Sequence, residues 1–234
     1  MGGRMSIDVT TEPLLELFEG AIMSREEFHQ AYLDYPDHTR FELVEGVVHM
    51  ASPVFAEHVR SHQVVSLIGK LFDLSTPGTE YLTEPSVLLG DQNEFRPDGV
   101  LRLREEFGGR CRLTAQRVFE GPPELVIEIA NTSLNFDLNA KRRTYAANGV
   151  GEYIVVDLIN QEFHWFDFQT GEQLAPDGDA VCRVRCFPGF WISVEAVLQE
   201  DCAAALPILY AGLASPEHAA FVADLAARRT PPQS

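Results

Sequence analysis

Two carboxylates stand where a carboxylate is costly. Glu128 interrupts the apolar run Glu124-Leu-Val-Ile-Glu-Ile-Ala130, and Asp98 follows Arg96-Pro97 at the head of a strand-like run 30 residues earlier. A carboxylate in a buried strand has to be paired, protonated or bound to a metal. Two of them on adjacent strands make an oxygen site for one Mg²⁺, which keeps several waters that phosphate oxygens can replace. A buried salt bridge from Glu128 to Arg142 or Arg143 accounts for the same residue, and composition does not separate the two readings. Lys141 follows Glu128 by 13 residues, in Asp137-Leu-Asn-Ala-Lys-Arg-Arg-Thr-Tyr145. Lysine is a compact point charge suited to polarising a water or a phosphate oxygen. Only Lys70 and Lys141 among the 18 basic residues are lysines.

Other motifs carry less. His58 and His62, four apart, share a helix face; the intervening Val-Arg-Ser lacks the glutamate of a His-Glu-x-x-His site. Gly149-Val-Gly151 lacks the lysine of a phosphate loop, and there is no Gly-x-Ser-x-Gly elbow. Cys111, Cys182, Cys186 and Cys202 form no Cys-x-x-Cys pair, so free thiols are expected, with Cys182 and Cys186 on one face of a strand.

The elements that must hold these residues can be read from periodicity. Ser24 and Glu27 form a capping box opening a helix that stops at Pro36-Asp37. Two strands turn at Glu45-Gly46, and Val59, Val64, Leu67, Ile68 and Leu71 mark a helix from Ala56 to about Leu74. Strands are expected over Tyr81–Leu89, Asp98–Leu103, Glu124–Ala130, Tyr153–Asp157, Phe163–Phe168 and Val181–Phe187, with Arg104–Gly121 an exposed loop. Trp165 and Trp191 read as core, and Tyr145, four after Lys141, as packing. Asp137–Asn148 is helical and stops at Asn148-Gly149; the last 35 or so residues are Ala-rich helix, with a second start at Ser215-Pro216-Glu217. This order describes a mixed α/β (α+β) domain with a central sheet.

Of 234 residues, 35 are acidic and 18 basic, a formal charge of −17. That excludes a general electrostatic clamp on DNA, yet net charge does not say where charges lie. A basic rim from Arg102 to Arg117 and Arg142-Arg143 is expected around the acidic pocket. No apolar run approaches the roughly 20 residues that cross a bilayer, and no secretory core is present, so a cytoplasmic chain without membrane contact is expected.

The segments Phe41-Glu42-Leu-Val-Glu-Gly, Ala51-Ser-Pro with His58, Arg96-Pro97-Asp98-Gly-Val, Gly121-Pro-Pro-Glu-Leu-Val-Ile-Glu128-Ile-Ala, Asp137-Leu-x-x-Lys141-x-x-x-Tyr145 and Phe187-Pro-Gly-Phe come in order over residues 22 to 198. Together they resemble the Uma-two family of bacterial endonucleases, in the PD-(D/E)xK superfamily. The resemblance implies a restriction-endonuclease-like core, a mixed central β-sheet flanked by α-helices, over 22–198. An N-terminal extension would occupy 1–21 and a C-terminal helical appendage 199–234. It makes Asp98 and Glu128 ligands of Mg²⁺ or Mn²⁺, with Glu42 completing the acidic cluster and the Ile129 carbonyl a further ligand. His58 is an auxiliary residue facing the cleft. The usual lysine position, two after Glu128, holds Ala130, and Lys141 is its migrated replacement. The implied activity is metal-dependent hydrolysis of DNA phosphodiesters, and a homodimer is expected. The alternatives are a nuclease fold serving as a nucleic-acid or protein interaction module, or a phosphoesterase acting on RNA or small phosphoesters.

Overall fold

The computed structural model describes residues 16–33, 35, 40–51 and 55–230. The helix stop at Pro36-Asp37, the Ser52-Pro53 pair, positions 1–15 of the extension and the tail after Thr230 lie outside the described residues. The chain runs through α1 (Arg25–Leu33), the hairpin β1 (Phe41–Val44) and β2 (Val47–Met50), and the long α2 (Ala56–Ser75). Next come β3 (Thr79–Thr83), β4 (Val87–Leu88), β5 (Glu94–Phe95), β6 (Gly99–Leu103), β7 (Arg112–Leu113), β8 (Phe119–Glu120) and β9 (Leu125–Ala130). α3 (Leu134–Phe136), a π-helical turn (Asp137–Lys141) and α4 (Arg142–Ala147) form one continuous helical segment. β10 (Glu152–Asp157), β11 (Glu162–Asp167), β12 (Glu172–Leu174), β13 (Val181–Arg183) and β14 (Trp191–Ser193) precede α5 (Val194–Leu198), α6 (Cys202–Leu213) and α7 (Pro216–Arg228).

Local chemistry explains the starts and turns. The Glu27 carboxylate accepts the Ser24 N–H at 2.8 Å while Ser24 Oγ accepts the Glu27 N–H at 3.3 Å, a closed capping box. Glu45 and Gly46 both take positive φ, 53° and 77°, as a tight two-residue hairpin turn demands. Ser215 caps α7 by accepting the His218 N–H, with Pro216 in the first turn.

Among the described residues two six-stranded sheets form, in the orders β12-β11-β10-β9-β6-β3 and β2-β1-β5-β4-β8-β7, with β13 and β14 a separate pair. The first is mixed: β9 runs parallel to β10 and antiparallel to β6. Its central strands β6, β9 and β10 are buried on both faces, hence the nearly unbroken apolar run of β9. Leu125, Ile127 and Ile129 join α2 residues Val64, Ile68 and Phe72 in the larger core. Val126 and Ala130 face Tyr145 and residues of the second sheet, Val44, Val87 and Phe95. Alternation places Glu128 on this second face. The register pairs Gly99 with Ile127, and continuing it by one residue sets Asp98 across from Glu128.

Some local expectations change. The strand expected over Val181–Phe187 ends at Arg183, because the Cys186 N–H donates to the Glu152 carboxylate instead of to a strand partner. Cys182 and Cys186 therefore do not share a strand face. All four cysteines are free, two buried and two half-buried. The stretch from Arg104 to Gly121 is more than an exposed loop: it holds a helical turn at Glu105–Phe107, the pair β7–β8, and buried Phe107 and Cys111. Val59 is exposed. Trp165 is buried, but Trp191 is half-buried beneath the Arg183 guanidinium, 4.5 Å from its ring centre. The C-terminal helices contribute Ala205, Leu209 and Leu225 to the larger core. Among the described residues no helix is long and apolar enough to cross a membrane.

Candidate active site

β1, β9 and the π-helical turn converge on one ammonium group. Lys141 Nζ lies 2.8 Å from Glu42 Oε2, 3.0 Å from Glu128 Oε1 and 3.6 Å from Asp137 Oδ1, with all four side chains buried. The turn sets this geometry: the Arg142 N–H reaches back to the Asp137 carbonyl, five residues away. Such π-turns rotate the residues that follow relative to a regular helix. Tyr145, one turn on, donates its hydroxyl to Glu128 Oε1 at 3.0 Å. Its ring is fully buried, as a packing residue's would be, but its oxygen belongs to the acid cluster.

Asp98 is held separately. Its Oδ2 accepts the Ile129 N–H at 2.7 Å and its Oδ1 lies 3.1 Å from His58 Nε2. His62, one turn along α2, donates Nε2–H to the Asp98 backbone carbonyl at 2.8 Å. Glu42 is fixed from the other side, where Oε1 accepts the Arg96 N–H at 2.8 Å. Glu42, His58, Asp98, Glu128 and Lys141 all line one cavity of about 430 Å³, whose lining also includes Arg40, Arg96, His49 and Phe136.

The electrostatics follow from crowding acids out of water. Burial pushes Glu128 well above the ordinary carboxylate range; Lys141 pulls it back, and Asp137, Asp98 and Glu42 push it further up. Burial opposes the charge on Lys141, but Glu128, Glu42 and Asp137 outweigh it and hold the ammonium protonated. Asp98 goes the other way. Its burial is outweighed by the His58 contact and the Ile129 N–H, which keep it ionised. For His58, burial is likewise overcome by Asp98 and by the Ile129 backbone, so its charged form is favoured.

A family model described as "Putative restriction endonuclease", Uma2, matches residues 25–195. The chain belongs to the Uma2 family. A solved structure described as a putative nuclease belonging to DUF820 from Anabaena variabilis is similar at 15% identity, with a TM-score of 0.57. The match covers 73% of this chain and 97% of that one, and shows a shared fold. No curated protein matches the sequence. Membership of the Uma2 family supports a nuclease.

All five residues singled out from the sequence of this Uma2 chain border the same cavity. The Glu128 partner is Lys141, not Arg142 or Arg143. Arg143 instead pairs with Glu45, and Arg142 stacks over Phe166. The expected basic rim is not at the cavity: Arg102 is buried against Glu80 and the Cys111 carbonyl, and none of these arginines lines the wall. Sequence reading passed over Asp137 and Tyr145 as site residues. Their spacing, four before and four after Lys141, was the available signal.

The donor set suits a hard divalent cation. Glu42, Asp98, Glu128 and Asp137 offer oxygen alone, and three buried carboxylates face one ammonium with Asp98 on the same cavity, a surplus of negative charge that a cation offsets. Glu42, Asp98 and Glu128 are not drawn onto a common centre here, since Lys141 Nζ stands between Glu42 and Glu128. Among the described residues, donor atoms within 4.8 Å of one another come from His62, Glu84 and Asp98, and from Asp157, Glu162 and His164.

Proposed function

We propose that the chain is a metal-dependent endonuclease hydrolysing DNA phosphodiester bonds. The observation that carries this reading is a buried lysine among carboxylates on the wall of a cavity shared with Asp98, in a member of the Uma2 family. Asp98 and Glu128 would hold Mg²⁺ or Mn²⁺, with Glu42 joining directly or through water. The chemistry supplied by the bound ion is activation of water and neutralisation of charge on the scissile phosphate. Lys141 keeps a proton at Nζ and donates from it, orienting the attacking water or the phosphate oxygen on which charge develops. The Ile129 N–H and His58 fix the plane of the Asp98 carboxylate, and the Tyr145 hydroxyl fixes Glu128. Water adds at phosphorus and the bridging P–O bond breaks.

A plasmid-nicking assay in Mg²⁺ or Mn²⁺ tests this. Asp98→Ala, Glu128→Ala and Lys141→Ala should each lower nicking by about 10²-fold or more, the scale of a lost charge-stabilising group. Equal nicking by wild type and all three variants sinks the assignment.

A further inference from the structure

The geometry points to a phosphate-binding clamp, formed by Arg40 and Arg96 beside the acid cluster, that takes a backbone phosphate of the nucleic acid next to the scissile one. This rests on the nuclease reading above and deepens it.

Four observations support it. Arg40 and Arg96 line the same cavity as Asp98 and Glu128 and are the only arginines to do so among the described residues. Both guanidinium groups reach one carboxylate: Glu84 Oε1 lies 2.8 Å from Arg40 and Glu84 Oε2 lies 3.4 Å from Arg96. Two cationic forks around one anion is the arrangement that receives a phosphate. Arg96 is also under-bonded. Its Nε is buried without a partner among the described residues, and its other side-chain contacts there, to Tyr32 at 3.5 Å and Glu84 at 3.4 Å, are at the weak end of hydrogen bonding. The fourth observation is one of charge: in a chain of −17, none of the arginines expected to form a rim lines this cavity, which leaves this pair, among the described residues, to meet a polyanion there. Glu84 thus acts as a stand-in anion that a substrate phosphate displaces.

The test is binding of a fluorescein-labelled DNA duplex, followed by anisotropy in Ca²⁺ over a range of salt, with Ca²⁺ affinity measured by calorimetry on the same proteins. Arg40→Ala and Arg96→Ala should each weaken duplex binding at least fivefold and reduce the slope of log K against log salt by about 0.9, the value for one phosphate contact. Glu84→Gln should tighten duplex binding severalfold, and Ca²⁺ affinity should not change in any variant. If Arg96→Ala does not fold, the more exposed Arg40→Ala and Glu84→Gln carry the test. Duplex affinity and slope unchanged in the arginine variants overturn the clamp. So does loss of Ca²⁺ affinity in Glu84→Gln, which would make Glu84 a cation ligand together with His62 and Asp98. Binding of inorganic phosphate without binding of the duplex overturns the nucleic-acid assignment. Cleavage in Mg²⁺ is scored separately: a wild type that does not cleave but binds duplex through these arginines sinks the hydrolytic reading and leaves the clamp standing.

Discussion

At the residue scale, Tyr145 has two roles that sequence merges into one. Its ring packs against Phe95 and Tyr153, with centroids 4.5 Å and 5.1 Å away. Its hydroxyl, meanwhile, is a buried donor to Glu128. Burial and the Glu128 charge push the phenol well above its usual range, so it stays a donor. Tyr145→Phe keeps the ring and leaves Glu128 Oε1 one bond short, which should cost about 1–2 kcal/mol. Urea unfolding checks this, and no loss would mean the bond is not formed in solution. Asp98 and Glu128 were legible because a carboxylate in an apolar run needs a reason. Glu84 was not: nothing local in its sequence shows that Arg40 and Arg96, 44 and 12 residues away, close on it.

At the scale of elements, the Ser24–Glu27 capping box, the Glu45-Gly46 turn and the β9 strand were legible because each depends on a few adjacent residues. The π-turn was not, since its single extra residue is selected by what Lys141 and Asp137 meet across the cavity. The C-terminal helices were legible as helices, and their Ala-rich composition said little about where they pack. In the structure Leu209 is fully buried with Val197 and Phe190 in the core beneath α2. Leu209→Ala should therefore destabilise the whole protein by about 2–5 kcal/mol, as a core leucine does. Chemical denaturation reads this directly, and a change under about 0.5 kcal/mol, the range of surface substitutions, would make the helices an independent appendage.

At the scale of the whole molecule, charge and burial set how stability responds to pH. Burial raises Glu152 above the ordinary carboxylate range, against the pull of the Cys186 and Trp165 N–H groups, and burial likewise raises Glu124. A carboxyl with a raised folded-state pKa binds its proton more tightly in the folded chain. Its contribution is full below the unfolded value and is lost as pH rises through the folded one. Glu152→Gln should lower absolute stability, because one of two donors loses its acceptor. It should also flatten the fall in unfolding free energy over the pH range from the ordinary glutamate value upward. Urea titrations across that range check the slope, and an unchanged slope sinks the assignment to Glu152.

By itself, the sequence determined the element types, the family and the identity of the costly carboxylates, because periodicity, capping and a charge in an apolar run are local properties. It also determined the charge of −17, which says how many charges there are and nothing of their partners. Only the tertiary structure decided that Lys141 neutralises Glu128 while Arg102, Arg142 and Arg143 are engaged elsewhere, and that Arg40 and Arg96 face the cavity. The reason is geometric. An ion pair forms between groups within a few ångströms in space, and strand pairing between β6 and β9, together with the docking of the second sheet, sets those distances at the site across separations of up to the 99 residues between Glu42 and Lys141.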